Sequence, residues 1–323
     1  MSNSKILKKR NYIFLLFICF SFNLAYSQGF ARPNAWKKLR KEVIVQIGGS
    51  GFLGDLGGRN RIGTDFSPAD LEIAMTRPAA SAAFRYKFTK NVNLHTSFNY
   101  LLLAGDDKLT SEVYRNNRNL NFKSNVFELA TRLEFGISSF KRPGVYRLKK
   151  SSLSKINKRK AIELIGFVGI GAFYFNPKGK NPVSGKWEKL QPLHTEGQGL
   201  PGGPKQYKRI SISIPVGIAL HYIIDKYWSV GLELSYRKTF TDYIDDVHGT
   251  YYDKTALMNA YGPTSVLMSD PSKGDIAGFS SPNADGSGAQ RGDKDRDSFT
   301  SLQITVGRFF PPKHGRTKLR SKF

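Results

Sequence analysis

The chain has 323 residues and a formal net charge of +25, with 50 Lys and Arg against 25 Asp and Glu. Its one cysteine, Cys19, lies in an N-terminal apolar run, so the rest of the chain has neither a disulfide framework nor thiol chemistry. The charge favours anionic partners, and the compartment decides which ones.

Residues 1–27 predict a secretory signal peptide that is removed. A basic n-region precedes the apolar run 12–24, which is too short to span a bilayer as a helix, and Ala25-Tyr26-Ser27 fits a cleavage site before Gln28. A membrane anchor is the alternative. Export argues against nucleic acid and favours anionic lipid, lipopolysaccharide, cell-wall carboxylates or an acidic protein as the partner.

Eight later segments alternate apolar residues with small or polar ones. The clearest is 210–222, where seven apolar or aromatic residues occupy every second position. At the usual rise this strand is about 40 Å long, far longer than a typical globular strand. In chain order the predicted strands are 42–52, 78–88, 92–102, 125–137, 161–175, 210–222, 228–237 and 299–310. The first and fifth are rich in glycine and alternate less cleanly.

The pattern predicts an all-β fold, an eight-stranded antiparallel transmembrane β-barrel with long extracellular loops in the outer membrane of a Gram-negative bacterium. Links at 89–91 and 225–226 are tight. The other connections are long, at 53–76, 105–120, 177–206 and 242–297. Short turns belong on the periplasmic side, and an even strand number places both termini there. We therefore expect a basic periplasmic segment at 28–41, the barrel at 42–310 and a basic periplasmic tail at 311–323.

Charged side chains fall on the inward face of several predicted strands. These are Arg85, Glu128, Arg132, Glu134, Glu163, Glu233 and Arg237. Eight strands leave a lumen just wide enough for side chains, so we expect these charges to pair and plug it. A proton relay is the alternative interpretation.

The sequence predicts no catalytic residue, cofactor or metal site. It has no G-x-S-x-G elbow, no H-E-x-x-H helix motif and no phosphate loop, and its histidines are scattered. His248 beside Asp245 and Asp246 comes nearest to a catalytic group, but a hydrated loop is the simpler interpretation. The acidic stretch 241–253 does not match an EF-hand loop and favours a capped turn. Whether it binds a metal ion stays open.

Four segments together resemble the PorG-type outer-membrane barrels of the type IX secretion system in Bacteroidetes. They are "EVIVQIGGSGFLGDLGG", "RNLNFKSNVFELATRLEFG", "TDYIDDVHGTYYD" and "RGDKDRDSFTSLQITVGRFF", in that order along the chain. The resemblance implies a non-enzymatic outer-membrane subunit that associates with a periplasmic PorK–PorN ring and serves the export of cargo and, in gliding species, of adhesins. It implies no catalytic residues. The long 242–297 loop, the twenty-residue connection 141–160 and the basic tail depart from a minimal version of this pattern.

Charge is divided between the two predicted sides of the membrane. Loop 242–297 has ten acidic residues against five basic ones, whereas 141–160 has nine basic residues and no acid. Basic residues on the periplasmic side suit docking to an acidic ring. The partner-binding residues we predict are Lys149, Lys150, Lys155, Lys158, Arg159 and Lys160. One alternative is a solvated collar that contacts lipid phosphates. Another is a stand-alone surface barrel whose loops bind a ligand or a host surface.

Overall fold

The computed structural model describes residues 40–56, 75–110, 112–141, 161–224, 227–276, 278–280, 289–292 and 295–310. Within these ranges lie ten strands. They are β1 (Lys41–Leu53), β2 (Arg77–Lys87), β3 (Val92–Asp106), β4 (Asn121–Lys141), β5 (Ala161–Tyr174), β6 (Pro177–Lys180), β7 (Trp187–Lys189), β8 (Ile210–Ile223), β9 (Trp228–Thr239) and β10 (Ser298–Phe309). Each of the eight long strands overlaps one of the eight predicted strands.

These eight strands form one closed antiparallel barrel. Each pairs with its neighbour in the order β1, β2, β3, β4, β5, β8, β9, β10, and β10 closes the ring by pairing with β1. The closing pair runs from Glu42 opposite Phe309 to Leu53 opposite Ser298. The predicted fold class is thus confirmed. Closure leaves the barrel without a free strand edge.

The barrel wall is apolar outside and polar inside. Outward residues that expose at least two fifths of their surface include Val43, Val45, Ile47, Phe84, Phe98, Leu129, Leu133, Phe135, Val168, Ile170, Ile212, Ile218, Leu232, Leu234, Leu302, Ile304 and Val306. Inward positions hold buried Glu, Arg, Asn, Gln, Ser and His side chains. A surface this apolar is stable against lipid and not against water, which is the arrangement of an outer-membrane barrel.

The two ends of the barrel differ. At one end, here called the turn end, the β2–β3 and β8–β9 connections are short, and the first and last strands begin and finish. At the other, here called the loop end, the chain forms the short helices α1 (Val113–Arg118), α2 (Lys254–Tyr261) and α3 (Pro263–Ser269). No helix in the described part of the chain is long and apolar enough to cross a membrane.

Strand β4 begins at Asn121, four residues before the predicted 125. The prediction began too late because apolar residues, which face outward along the rest of the strand, face inward at the loop end. Phe122 and Val126 face inward there and are buried, whereas Lys123 faces outward. β3 and β4 stay paired up to Asp106 opposite Asn121. The inward apolar residues of this extension join a second core beneath the loops. Its members are Phe52, Leu56, Ala79, Leu101, Leu103, Leu120, Phe122, Val126, Phe173, Phe175, Leu190, Tyr207, Ile244, Val247, Met268 and Phe299.

This core makes a folded cap of the loops that the sequence predicted only as long connections. β6 continues along the edge of β4 beyond the end of β5, and β7 pairs with β6. Ser265 on α3 donates a hydrogen bond to the Leu193 carbonyl and Ser269 donates one, of 2.5 Å, to the Thr195 carbonyl. Contacts of this kind between distant loops cannot be inferred from local sequence periodicity.

Candidate functional sites: the lumen and the loop cap

An Arg-centred network crosses the lumen near the turn end. Arg85 on β2 donates from Nε to Glu134 Oε2 at 2.6 Å and from Nη1 to Glu42 Oε2 at 2.8 Å. Arg132 on β4 contacts the same Glu134 at 3.2 Å and binds Glu233 on β9 at 2.5 Å. All five side chains are at most 4% exposed. The charges of four strands are therefore joined inside the wall.

A second group lies nearer the loop end. Glu128 accepts hydrogen bonds from Arg237 Nε at 2.7 Å, from Ser213 Oγ at 2.6 Å and from Asn99 Nδ2 at 2.9 Å. Arg237 also donates to Ser301 Oγ at 2.9 Å. This group spans five strands and leaves each charge hydrogen-bonded, which offsets the cost of burying it.

The structure thus brings all seven predicted lumen charges inside the barrel. Glu163 lies closest to solvent, with 28% of its side chain exposed, and is 3.6 Å from both Lys87 Nζ and His221 Nδ1. The other six are buried and lie in the two groups above. They form three cross-strand ion pairs, Arg85 with Glu134, Arg132 with Glu233 and Arg237 with Glu128.

Sequence reasoning missed four members of the network, which are Glu42, Gln46, His95 and His221. Glu42 accepts from Arg85 and Ser229, and Gln46 donates to Glu233 at 2.9 Å. His95 lies 3.3 Å from Arg132 and His221 lies 3.4 Å from Arg85. The signal was present, because each occupies an inward position in an alternating strand.

One strand glycine explains how Glu42 fits. A Cβ atom at Gly307 on β10 would collide with the Glu42 carboxylate and with Ser229 Oγ. Absence of a side chain at Gly307 therefore makes room for the carboxylate between β1 and β9. A glycine within a strand commonly marks such a close approach.

In the cap, two buried arginines tie separate loops together. Arg291 donates to Glu196 Oε1 at 2.9 Å, to the Asp246 carbonyl at 2.7 Å and to the Ser269 carbonyl at 3.1 Å. Arg118 at the end of α1 donates to the Arg291 carbonyl at 2.7 Å. It also pairs with Asp107 at 2.7 Å. Burial lowers the pKa of the Arg118 guanidinium, but the charge of Asp107 and the hydrogen bond to it outweigh burial, so the pKa is raised. Two of the long connections, 177–206 and 242–297, therefore meet at the buried guanidinium of Arg291, and Arg118 joins a third, 105–120, to the main chain of Arg291.

Acidic residues from 241–253 lie buried beneath this cap. Asp246 accepts from Thr195 Oγ1 and from Tyr207 Oη, each at 2.5 Å. Burial, with the charge of Glu196, raises the pKa of Asp246 to about 6, against the opposing effects of Arg291 and the two hydroxyls. The stretch is therefore part of the cap core, and the predicted capped turn or hydrated loop describes it only in part.

Asp245 and Asp297 share a more crowded place. Burial is the largest cause that raises the pKa of both carboxyls well above the ordinary value, and the charges of Asp55 and Asp242 add to it. Asp297 accepts from the Ile244 amide at 2.8 Å, and Asp245 accepts from the Leu56 and Val247 amides at 3.2 and 3.0 Å. Protonated carboxyls fit this surrounding better than ionised ones.

His248 pairs with Asp242, through Nδ1 and Oδ2 at 2.5 Å, and not with the neighbouring Asp245 or Asp246 that the sequence placed beside it. Across the described ranges, no group of three or more His, Cys, Asp or Glu side chains is arranged to hold a metal ion.

The six predicted partner-binding residues, at 149–160, lie outside the described residues. The same holds for the signal peptide, for most of the predicted N-terminal segment and for the tail at 311–323. Described residues of the barrel run from Lys41 to Phe309, against the predicted 42–310.

Aromatic residues border the apolar band at both ends. At the turn end, Tyr86 and Phe88 meet edge to face at 5.2 Å, and Arg308 lies over Trp228 at 5.5 Å. At the loop end, Lys123 lies over Trp187 at 3.9 Å. Such rings mark the two interfaces of a membrane-spanning barrel wall.

Comparison with known proteins gives distant structural matches. No family model matches the chain, and no curated protein matches it. Three barrels among the matching structures are described here by chain identity, by the shares of this chain and of the matched chain that are covered, and by TM-score. The attachment invasion locus protein Ail of Yersinia pestis, in complex with the heparin analogue sucrose octasulfate, is 11% identical, with 84% of this chain and 99% of Ail covered and a TM-score of 0.34. Neisserial surface protein A is 6% identical, with 84% and 97% covered and a TM-score of 0.33. The N-terminal β-barrel domain of Pseudomonas aeruginosa OprF is 10% identical, with 82% and 96% covered and a TM-score of 0.28. At these scores the matches carry no inference about function.

Proposed function

We propose that this protein is a non-enzymatic β-barrel of the outer membrane of a Gram-negative, Bacteroidetes-like bacterium and that it is a subunit of type IX secretion machinery. The termini and the turn end would face the periplasm, and the loop end would face outside. The outer-membrane placement is supported by the apolar outer wall, the polar interior and the aromatic borders.

The observation that carries the proposed role is the plugged lumen. Ion pairs cross the barrel at two levels, and a packed cap lies above them. A lumen filled in this way favours a scaffold over a solute channel, so partner binding is expected at the two rims of the barrel. The sequence resemblance to PorG-type barrels then supports docking of a PorK/PorN-like periplasmic ring, with a role in protein secretion and, in gliding species, gliding motility.

Charge distribution supports the periplasmic rim as the docking surface. Residues 142–160 join β4 to β5 at the turn end and include eight basic residues without an acid. A two-strand link needs only a few residues, so barrel closure does not require this length. A basic segment beyond that requirement suits an acidic protein ring.

A second candidate function is a stand-alone surface barrel whose loops bind a ligand or a host surface. The folded cap favours it, because long loops held by a core and buried arginines present a defined surface. Both candidates share the outer-membrane placement and differ in the side of the membrane on which the partner lies.

Gentle solubilisation followed by affinity purification of the full-length protein separates the two candidates. We expect periplasmic ring proteins to co-purify with a machine subunit, and crosslinks from 141–160 to identify the contacting protein by mass spectrometry. Recovery of the barrel alone, with crosslinks only within its own chain, would contradict the secretion role. The placement is tested separately by fractionation of the membranes.

A further inference from the structure

The sheet extension beside the cap carries a row of lysines that neither proposed function uses. In the β4–β6 pair, Lys123 lies directly opposite Lys178, and in the β6–β7 pair Lys178 lies directly opposite Lys189. Lys180 on β6 is opposite Trp187 on β7. Like charges at directly paired positions repel each other and destabilise a sheet. The arrangement therefore calls for a compensating anion.

All four lysines lie on the outward face of this sheet. Lys123 continues the outward row of β4 that includes Phe127 and Leu129 in the apolar band. Lys178 and Lys180 alternate with Gly179, where a Cβ would collide with Met268 and Leu190 of the cap, so the inward side of β6 is the Gly179 side. None of the four lysines forms an ion pair within the described ranges.

The hairpin itself does not neutralise the row. Its only acid, Glu188, is opposite Gly179 and so lies at a position of the inward face. Trp187 lies beneath Lys123 with its ring centroid 3.9 Å from Nζ, which restrains this ammonium and places an indole at the same level. Along β4, Phe127 is four positions from Lys123, or about 13 Å of strand. The cluster thus lies directly beyond the apolar band.

We infer that Lys123, Lys178, Lys180 and Lys189 form a binding site for the phosphate groups of the membrane glycolipid in the outer leaflet. The apolar band continues below the cluster, so acyl chains can lie on the wall while the phosphates reach the ammonium groups. Basic residues at such a depth bind anionic head groups, and an interfacial tryptophan fits the same boundary. The inference rests on the proposed outer-membrane placement and is independent of the secretion role.

The test uses the full-length protein in detergent, with native mass spectrometry of added bisphosphorylated lipid A. One variant changes the four lysines to Gln. A matched control changes the exposed residues Lys90, Lys108, Lys205 and Lys273 to Gln, which removes the same charge elsewhere. We expect the cluster variant to bind lipid A on the order of 100-fold more weakly, and the control to change less than about threefold.

Two further arms identify the ligand and guard against misfolding. Dephosphorylated lipid A should bind the unmodified protein as weakly as bisphosphorylated lipid A binds the cluster variant. Inorganic phosphate at the lipid concentration should not displace the lipid, and displacement would show a free-phosphate site instead. Each variant is first checked for heat modifiability, which is a difference in gel migration between boiled and unboiled samples that a folded barrel shows. A variant whose barrel has not folded is recognised in this way. Equal loss in both variants, or equal affinity with and without lipid phosphates, overturns the inference.

Discussion

Arg85 on β2 and Glu134 on β4 are joined by two hydrogen bonds inside the barrel, Nε to Oε2 at 2.6 Å and Nη2 to Oε1 at 3.2 Å. β3 lies between their strands, so the pair reaches across a neighbouring strand through the lumen. Two parallel hydrogen bonds of this kind fix the orientation of both side chains and link β2 to β4 across the lumen.

Reversal of charge at Glu134 should damage folding. Glu134→Lys would place an ammonium against Arg85 and Arg132, both at most 4% exposed, at a cost of about 3–5 kcal/mol. We expect a marked fall in membrane abundance, measured by immunoblotting of outer-membrane fractions. Lys90→Glu in the exposed β2–β3 turn is the control and should be near normal. A Glu134→Lys protein at normal abundance that has lost secretion would instead support a functional relay in the lumen.

Barrel closure predicts a heat-modifiable band. The β1–β10 pairing leaves no strand edge from which unfolding can easily start, so unboiled and boiled samples should migrate differently in detergent gels. Circular dichroism of the same sample should show strand as the dominant structure. One unchanged mobility, or a helical spectrum, would contradict the fold.

The sequence predicted the barrel because bilayer physics imposes a period of two on every strand. Residues 210–222, 228–237 and 92–102 carry that pattern without interruption, and the structure has strands there. Lumen charges were predictable for the same reason. The pairing of Arg85 with both Glu42 and Glu134 was not, because cross-strand partners depend on register and on strand order around the barrel.

The folded cap could not be predicted from the sequence, for a different reason. Its contacts join residues far apart in the chain, such as Arg291 with Glu196, 95 positions away. In its core apolar side chains face inward, whereas inward positions of the barrel wall are polar. Phe122 and Leu103 therefore do not match the pattern of a barrel strand, although both are buried in the cap core. Local periodicity therefore ended β3 at 102 and began β4 at 125, whereas the structure extends β3 to Asp106 and begins β4 at Asn121.

Loss of Arg291 should open the cap and spare the barrel. Arg291→Ala would leave buried Glu196 without its cation and two carbonyls without a donor, at a cost of about 3–5 kcal/mol. We expect faster cleavage within 240–297 in limited proteolysis, with the heat-modifiable band retained. Arg291→Lys, which keeps the charge, should be intermediate. Cleavage at the unmodified rate would show that Arg291 does not hold the loops together.

The buried carboxyls should make the cap more stable in acid. The pKa of Asp245 and of Asp297 is raised in the folded state, mainly by burial, so the folded cap binds more protons than the open one. Stability from these groups is therefore present below their ordinary pKa and is lost as pH rises through the raised values. Hydrogen exchange in 240–250 should be slower at about pH 5 than at about pH 8, after correction for intrinsic rates.

Asp297→Asn supplies the control for that pH dependence. The amide keeps an oxygen that can accept from the Ile244 amide and removes one titrating group from the crowd. We expect a flatter pH profile and a cap at least as protected at about pH 8. A steeper profile, or protection that increases with pH in the unmodified protein, would contradict the assignment.

The last prediction concerns Lys149, Lys150, Lys155, Lys158, Arg159 and Lys160 on the β4–β5 connection. Each charge on a rim contributes about 0.2–1 kcal/mol to association, so one Lys→Ala change should be nearly silent. Changing all six to Gln should lower ring association by a few kcal/mol while the barrel still inserts, because the six positions lie between β4 and β5 and in neither strand.

Salt gives the matching control on the unmodified protein. Between about 0.05 and 0.5 M the Debye length falls from roughly 14 to roughly 4 Å, so ring association should weaken over that range. The six-residue variant should show a shallower salt dependence, because the charges that salt screens are gone. Co-purification is quantified at both salt concentrations, with membrane insertion checked by heat modifiability. If the variant recovers ring proteins at the unmodified level in both salts, the connection is a solvated collar and docking must use another surface.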